Sequence, residues 1–143
     1  MANAYPGSLR VVLDTNVLIP SLHFPHGALA GLWPALHERA RLILSPAIIA
    51  ELAGKLRDRF GWDEGQLQRV LRALVRRADL VRPTTISDAV AGDPDDNHII
   101  ACAIAGRADV IVGGDRDLLQ LKTYAAIPIV RPKQPPRQRH LEL

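Results

Sequence analysis

The sequence predicts a single α/β domain whose five strands form a mainly parallel sheet flanked by helices. Three observations predict it. Short apolar runs such as Leu9–Leu13 and Leu42–Leu44 lack the in-out alternation of a half-exposed strand, as strands covered on both faces do. Stretches of helical character separate these runs, and a parallel sheet needs such crossovers. Helix start and stop signals, notably Ser45-Pro46 and Gly61, punctuate the chain between them.

The first strand, Leu9–Leu13, runs into the polar turn Asp14-Thr15-Asn16, and Asn16 can cap a short helix over Val17–Leu22. A second helical stretch is expected over Gly27–Arg39, disturbed by Pro34. Leu42–Leu44 is the second strand. Ser45 as cap and Pro46 at the first helical position open a helix that runs through Phe60 and stops at Gly61. From Asp63 to Arg77, Leu67, Leu71 and Leu74 fall on one helical face and Arg69, Arg72 and Arg76 on another, so this helix should pair with the preceding one as a hairpin. A third strand is expected over Leu80–Arg82, closed by Pro83, followed by a loop from Thr84 to Gly92.

The next helix begins at Asp93-Pro94 and continues to Ala105, with Gly106 as its stop. Asp109–Val112 is the fourth strand, leading through Gly113-Gly114-Asp115 into a short helix over Asp117–Leu121, and Ile127–Val130 is the fifth strand. The domain is expected to occupy residues 1–132. Residues 133–143, rich in Pro, Gln and basic side chains, read as a mobile C-terminal tail.

The 143 residues suffice for one core without staples. The single cysteine, Cys102, lies among alanines and isoleucines, which excludes a disulfide framework and suggests a buried, inert thiol in a reducing compartment. No apolar run approaches the roughly 20 residues needed to cross a bilayer, so a cytoplasmic protein is expected. The 18 basic residues, mostly arginine, outnumber the 15 acidic ones for a formal charge of +3, which suits a phosphate-bearing partner without requiring one.

In an open parallel sheet, ligands bind outside the carboxyl ends of the strands, and Asp14 and Asp115 follow the first and fourth strands. Several carboxylates gathered there would repel one another unless a divalent cation neutralised them, and an all-oxygen set suits a hard ion such as Mg²⁺ or Mn²⁺. Such an ion can activate water against a phosphodiester. The residues also admit plainer roles. Asp93, Asp95 and Asp96 all fall in the first turn of their helix, where acids cap free N–H groups, and Asp95 is read as such a cap. Asp115 and Asp117 flank a helix start in the same way. Glu51 borders the apolar stripe of Ile48, Ile49, Leu52 and Leu56, as a partly buried ligand would, or as a surface glutamate leaning on Lys55 would. There is no His-Glu-x-x-His, no cysteine pair and no Walker loop to suggest zinc or nucleotide chemistry.

Taken in order, Val11-Val12-Leu13-Asp14-Thr15-Asn16-Val17-Leu18, Ser45-Pro46-Ala47-Ile48-Ile49-Ala50-Glu51-Leu52, Asp93-Pro94-Asp95-Asp96-Asn97 and Gly114-Asp115-Arg116-Asp117-Leu118-Leu119 resemble the PIN domain. More narrowly, they resemble the prokaryotic VapC-like PIN proteins of toxin–antitoxin pairs, over the span from Leu9 to Pro132. The resemblance implies a parallel sheet in the order 3-2-1-4-5 and a metal-dependent ribonuclease acting on single-stranded RNA. It implies Asp14, Glu51, Asp96 and Asp115 as the acidic quartet holding Mg²⁺ or Mn²⁺, with Asn16 orienting Asp14 and Asp117 as a possible fifth acid. A homodimer and a small cognate antitoxin follow from the same resemblance. Arg69, Arg72 and Arg76 are candidates for RNA contact. One departure is evident: where the family often has Thr or Ser two residues before the fourth acid, this chain has Gly113.

Overall fold

The computed structural model describes residues 9–23, 40–85, 93–114 and 116–132. The expected helix over Gly27–Arg39, most of the loop before Asp93, Asp115 and the tail from 133 onward lie outside the described residues. Along the chain, β1 (Leu9–Leu13) leads into α1 (Thr15–His23), and β2 (Ala40–Leu44) into the helices α2 (Pro46–Phe60) and α3 (Glu64–Arg76). Then follow β3 (Ala78–Leu80), α4 (Pro94–Ala105), β4 (Val110–Val112), α5 (Arg116–Gln120), β5 (Thr123–Tyr124) and β6 (Ile127–Val130).

The sheet has the order β3-β2-β1-β4-β6-β5. All pairings are parallel except β5 with β6. The expected order 3-2-1-4-5 therefore holds, with β6 in the place of the fifth strand and a short edge strand added beyond it. That added hairpin turns through Ala125 and Ala126, both with positive φ (52° and 66°). Two-residue hairpin turns need this left-handed backbone, but Asn-Gly is its usual signal, and an Ala-Ala pair conceals it.

Sheet strands at the centre are buried on both faces. Val11, Val12 and Leu13 of β1 and Leu42, Ile43 and Leu44 of β2 all belong to the core, together with Val17 and Leu18 of α1, Leu52 and Leu56 of α2, and Ile99 and Ile100 of α4. Helix α2 starts as its sequence predicts: Ser45 Oγ accepts from the Ile48 N–H at 3.3 Å, and the helix ends on Gly61 at φ 66°. Asp63 and Gln66 cap α3 reciprocally, side chain to backbone in both directions.

Two expectations need correction. Asn16 is not the cap of α1, which starts at Thr15, two residues before the expected Val17: the Asp14 carbonyl accepts from Val17 and Leu18 N–H at 2.9 and 3.0 Å. Strand β3 occupies Ala78–Leu80 rather than Leu80–Arg82, because the pairings Leu42↔Ala78, Ile43↔Asp79 and Leu44↔Leu80 set the ladder there, with Ala78 buried and Leu80 at the strand end 42% exposed. Gly106 ends α4 as expected, though without a left-handed backbone (φ −89°), and Arg107, at φ 53°, takes that conformation instead. Glycine is required at 106 for space, since a Cβ there would lie 2.6 Å from Ile43 Cγ2. Cys102 is buried as expected, and burial pushes its thiol up to about 12, against a weaker opposing bond with Ser45.

Candidate functional site

The site is built from the end of β1. The Asp14 N–H donates to Val112 O at 2.9 Å, extending the β1–β4 ladder by one residue, and the Asp14 carbonyl then begins α1. Asp14 is 3% exposed, with its Oδ2 sealed from solvent. Its Oδ1 accepts the Asn16 backbone N–H at 3.2 Å. Asn16 therefore steadies Asp14 through its main chain, while its own side chain stands in solvent beside Gly114.

Helix α4 supplies the second acid. Its C-terminal end is tied to the amino half of β1, where Arg10 Nε donates to Gly106 O at 2.9 Å and the Asp109 N–H to Arg10 O at 2.7 Å. Twelve helical residues span about 18 Å, enough to carry the other end of α4 back across the sheet to the carboxyl edge. There Asp93 is the N-cap, accepting the Asp95 N–H at 3.0 Å. The capping role assigned to Asp95 thus belongs to Asp93. Asp96, in the same turn, is 3% exposed with Oδ2 sealed from solvent.

Glu51, in the second turn of α2, joins these two elements. It accepts a hydrogen bond from Thr15 Oγ1, and Lys55 Nζ lies 3.3 Å from Glu51 Oε2 and donates to Thr15 Oγ1 at 3.0 Å. On its other side it meets Asp95. Burial above all, with Asp95 adding to it, raises the Glu51 carboxyl above its ordinary range, and Thr15 and Lys55 oppose this without cancelling it. Glu51 consequently touches the residue after Asp14 and the residue before Asp96. It does lean on Lys55, but as a largely buried side chain rather than a surface one.

Among the described residues, no three His, Cys, Asp or Glu side chains close into a metal cage by themselves. Asp115, expected as the fourth acid, lies outside the described residues; Asp117 is exposed in the first turn of α5. Gly113 is buried against Leu118, whose Cδ2 would lie 3.0 Å from a Cβ at that position, so Leu118 occupies the space a serine or threonine would take. Arg69, Arg72 and Arg76 are exposed on α3. Arg72 and Arg76 flank a shallow groove with Gln68, Leu71 and Val75, and no described bond joins these arginines to the acids. Thr15, Lys55 and Asp95 were not singled out as site residues from the sequence. The Glu51-Lys55 spacing of four did mark the lysine as a partner of Glu51, but as a surface pair rather than as part of a site.

A family profile described as the PIN domain matches residues 10–117, a span that holds every described element of this site. The chain belongs to the PIN-domain family. An uncharacterized protein of Methanocaldococcus jannaschii is 32% identical over 120 residues, covering 80% of this chain and 76% of that protein. Among solved structures, the PIN domain here is similar to VapBC2 from Rickettsia felis bound to a DNA fragment from their promoter, with a TM-score of 0.60 and 15% identity over 87% of this chain and 100% of that one. It is also similar to the PIN domain endonuclease Utp24, with a TM-score of 0.53 and 21% identity over 87% and 86% of the two chains. At these identities the structures share the fold. Among the described residues of this PIN domain, no helix is long and apolar enough to cross a membrane.

Proposed function

We propose that this PIN domain is a Mg²⁺- or Mn²⁺-dependent endoribonuclease that hydrolyses phosphodiester bonds of single-stranded RNA, as the toxin of a toxin–antitoxin pair. The observation that carries this reading is the burial of two carboxylates, Asp14 at the end of β1 and Asp96 in the first turn of α4, the helix that packs on β1. Burying an ionised carboxylate costs several kcal/mol unless charge compensates it, and a fold that needed only stability would place apolar residues there. The donor set is all carboxylate oxygen, which fits a hard divalent ion.

In this reading Asp14, Glu51, Asp96 and Asp115 hold the ion, with Asp117 in reserve. When bound, a divalent cation neutralises the acids and makes a coordinated water a stronger nucleophile towards phosphorus. The protein's own work is positioning. The Asn16 amide fixes Asp14, Thr15 and Lys55 fix Glu51, and Asp93 caps the helix that carries Asp96. Arg69, Arg72 and Arg76 are proposed contacts for RNA phosphates, so binding should weaken as salt rises. The motif resemblance to toxin PIN proteins is the ground for proposing a cognate antitoxin, a homodimer and a cytoplasmic setting, and the fold shared with VapBC2 supports the first of these.

The alternative is a PIN-fold module that binds RNA or protein without catalysis. One observation favours it: Glu51 is already engaged by Thr15 and Lys55. Titration with Mn²⁺ followed by thermal melting and by cleavage of a single-stranded RNA separates the two. The nuclease reading expects a melting point that rises with metal by mass action, together with cleavage, and loss of both in Asp14→Asn. A wild-type protein that gains no stability from Mn²⁺ and leaves RNA intact is the binding module.

A further inference from the structure

Lys55 forms a closed triangle with two other groups. Its Nζ donates to Thr15 Oγ1 at 3.0 Å and lies 3.3 Å from Glu51 Oε2, and Thr15 donates its hydroxyl to that same carboxylate oxygen. An exposed pair four residues apart on a helix is loose and contributes little. This pair is different in two respects. The side chains of Lys55 and Glu51 are only 18% and 14% exposed, and the third corner is a fully buried threonine at the start of α1, directly after Asp14. The lysine therefore places its ammonium group among the acids at the carboxyl edge, on the acid that links Thr15 to Asp95.

A cation fixed there has two opposed effects. It compensates the Glu51 carboxylate when no other cation is present. It also repels a divalent ion approaching the same carboxylate and has to yield at least part of its contact when that ion binds. We propose that Lys55 is a tethered counter-ion that holds Glu51 against Thr15 in the metal-free protein and competes with a divalent cation for it, thereby setting the metal affinity of the site. This role rests on the reading of Asp14, Glu51 and Asp96 as parts of a cation site.

The test compares the full-length wild type with Lys55→Met, which keeps the stem and removes the charge, and Lys55→Arg, which keeps the charge. Each is stripped with a chelator and titrated with MnCl₂ by calorimetry and by thermal melting. Lys55→Met should bind Mn²⁺ about tenfold more tightly, the order expected for removing one nearby charge in a partly screened site, and should melt at a lower temperature without metal. Lys55→Arg should stay near the wild type in affinity. If Lys55→Met proves too unstable to titrate, Lys55→Gln, which can still bond Thr15, should show the same tightening. A lower metal-free melting point with unchanged or weaker Mn²⁺ affinity makes Lys55 a brace between α1 and α2 and overturns the proposal. Binding by the wild type that Asp14→Asn abolishes, with no gain in either neutral Lys55 variant, overturns the role of Lys55 alone. Absence of Mn²⁺ binding in the wild type overturns the cation site itself and the counter-ion role with it.

Discussion

Thr15 donates its hydroxyl to the Glu51 carboxylate, so the residue that follows the β1 aspartate grips the acid carried by α2. The contact spans 36 positions in sequence and fastens the start of one crossover helix to the second turn of another. Because Thr15 is fully buried, its hydroxyl has no water to replace this partner.

Thr15→Val should therefore lose stability by about 1–2 kcal/mol, since it keeps the shape but leaves the Glu51 and Lys55 head groups short of a partner. Thr15→Ser, which retains the hydroxyl, should lose less than half of that. Urea denaturation of the two variants in chelator gives the comparison, and a loss in Thr15→Val no larger than that in Thr15→Ser would remove the buried hydroxyl as the main source of stability at this position.

Asp79 joins three strands through hydrogen-bonded ion pairs, with Arg10 Nη1 at 2.6 Å and Arg41 Nε at 2.9 Å. Burial alone would raise its carboxyl, but the two arginines outweigh burial and hold it below the usual aspartate range. A carboxyl whose value is depressed by folding stabilises the native state above its unfolded value and loses that contribution as pH falls through the folded one. Asp79→Asn should accordingly cost about 1–2 kcal/mol at neutral pH, allowing for partial solvent screening, and the gap to the wild type should narrow in acid below the ordinary aspartate range. A gap that stays constant down to the acid transition would mean that the arginines are not its source.

Two glycines should fail for different reasons. Gly106→Ala places a methyl 2.6 Å from Ile43 Cγ2 in the fully packed interior, an overpacking cost of about 2 kcal/mol. Gly61→Ala meets no atom within 4 Å but must hold φ near +66°, which costs about 1 kcal/mol in backbone conformation. Gly61→Asn should recover part of the second loss, since asparagine tolerates the left-handed region. No such rescue is expected at 106, and equilibrium unfolding of the three variants checks both statements.

Restoring the family's hydroxyl at 113 should be unfavourable in this chain unless Leu118 shrinks with it. Gly113→Ser alone should destabilise by about 1–3 kcal/mol through its clash with Leu118. The double variant Gly113→Ser with Leu118→Val should lose less than the sum of the two single changes, and a double-mutant cycle of unfolding free energies measures that coupling. Strict additivity would remove Leu118 as the reason for glycine.

The crossover pattern, the helix bounds at Ser45, Gly61, Asp93 and Gly106, and the burial of β1 were all legible in the chain itself. They arise from local causes: capping geometry, proline at a helix start, and apolar runs too continuous for a half-exposed strand. The same local logic correctly marked Asp14 as an acid at a strand end. It could not distinguish Asp93, Asp95 and Asp96, because three acids in one helical turn are equivalent until packing buries one, caps with another and turns the third towards Glu51. Nor could it see the strand hidden behind Ala125 and Ala126, where the neighbouring β6 edge compensates an unfavourable backbone. The association of Thr15, Glu51 and Lys55 is likewise a product of how α1 and α2 lie against each other. Propensity and capping act over a few residues, whereas charge compensation depends on distance in space, and only the packed chain sets that distance.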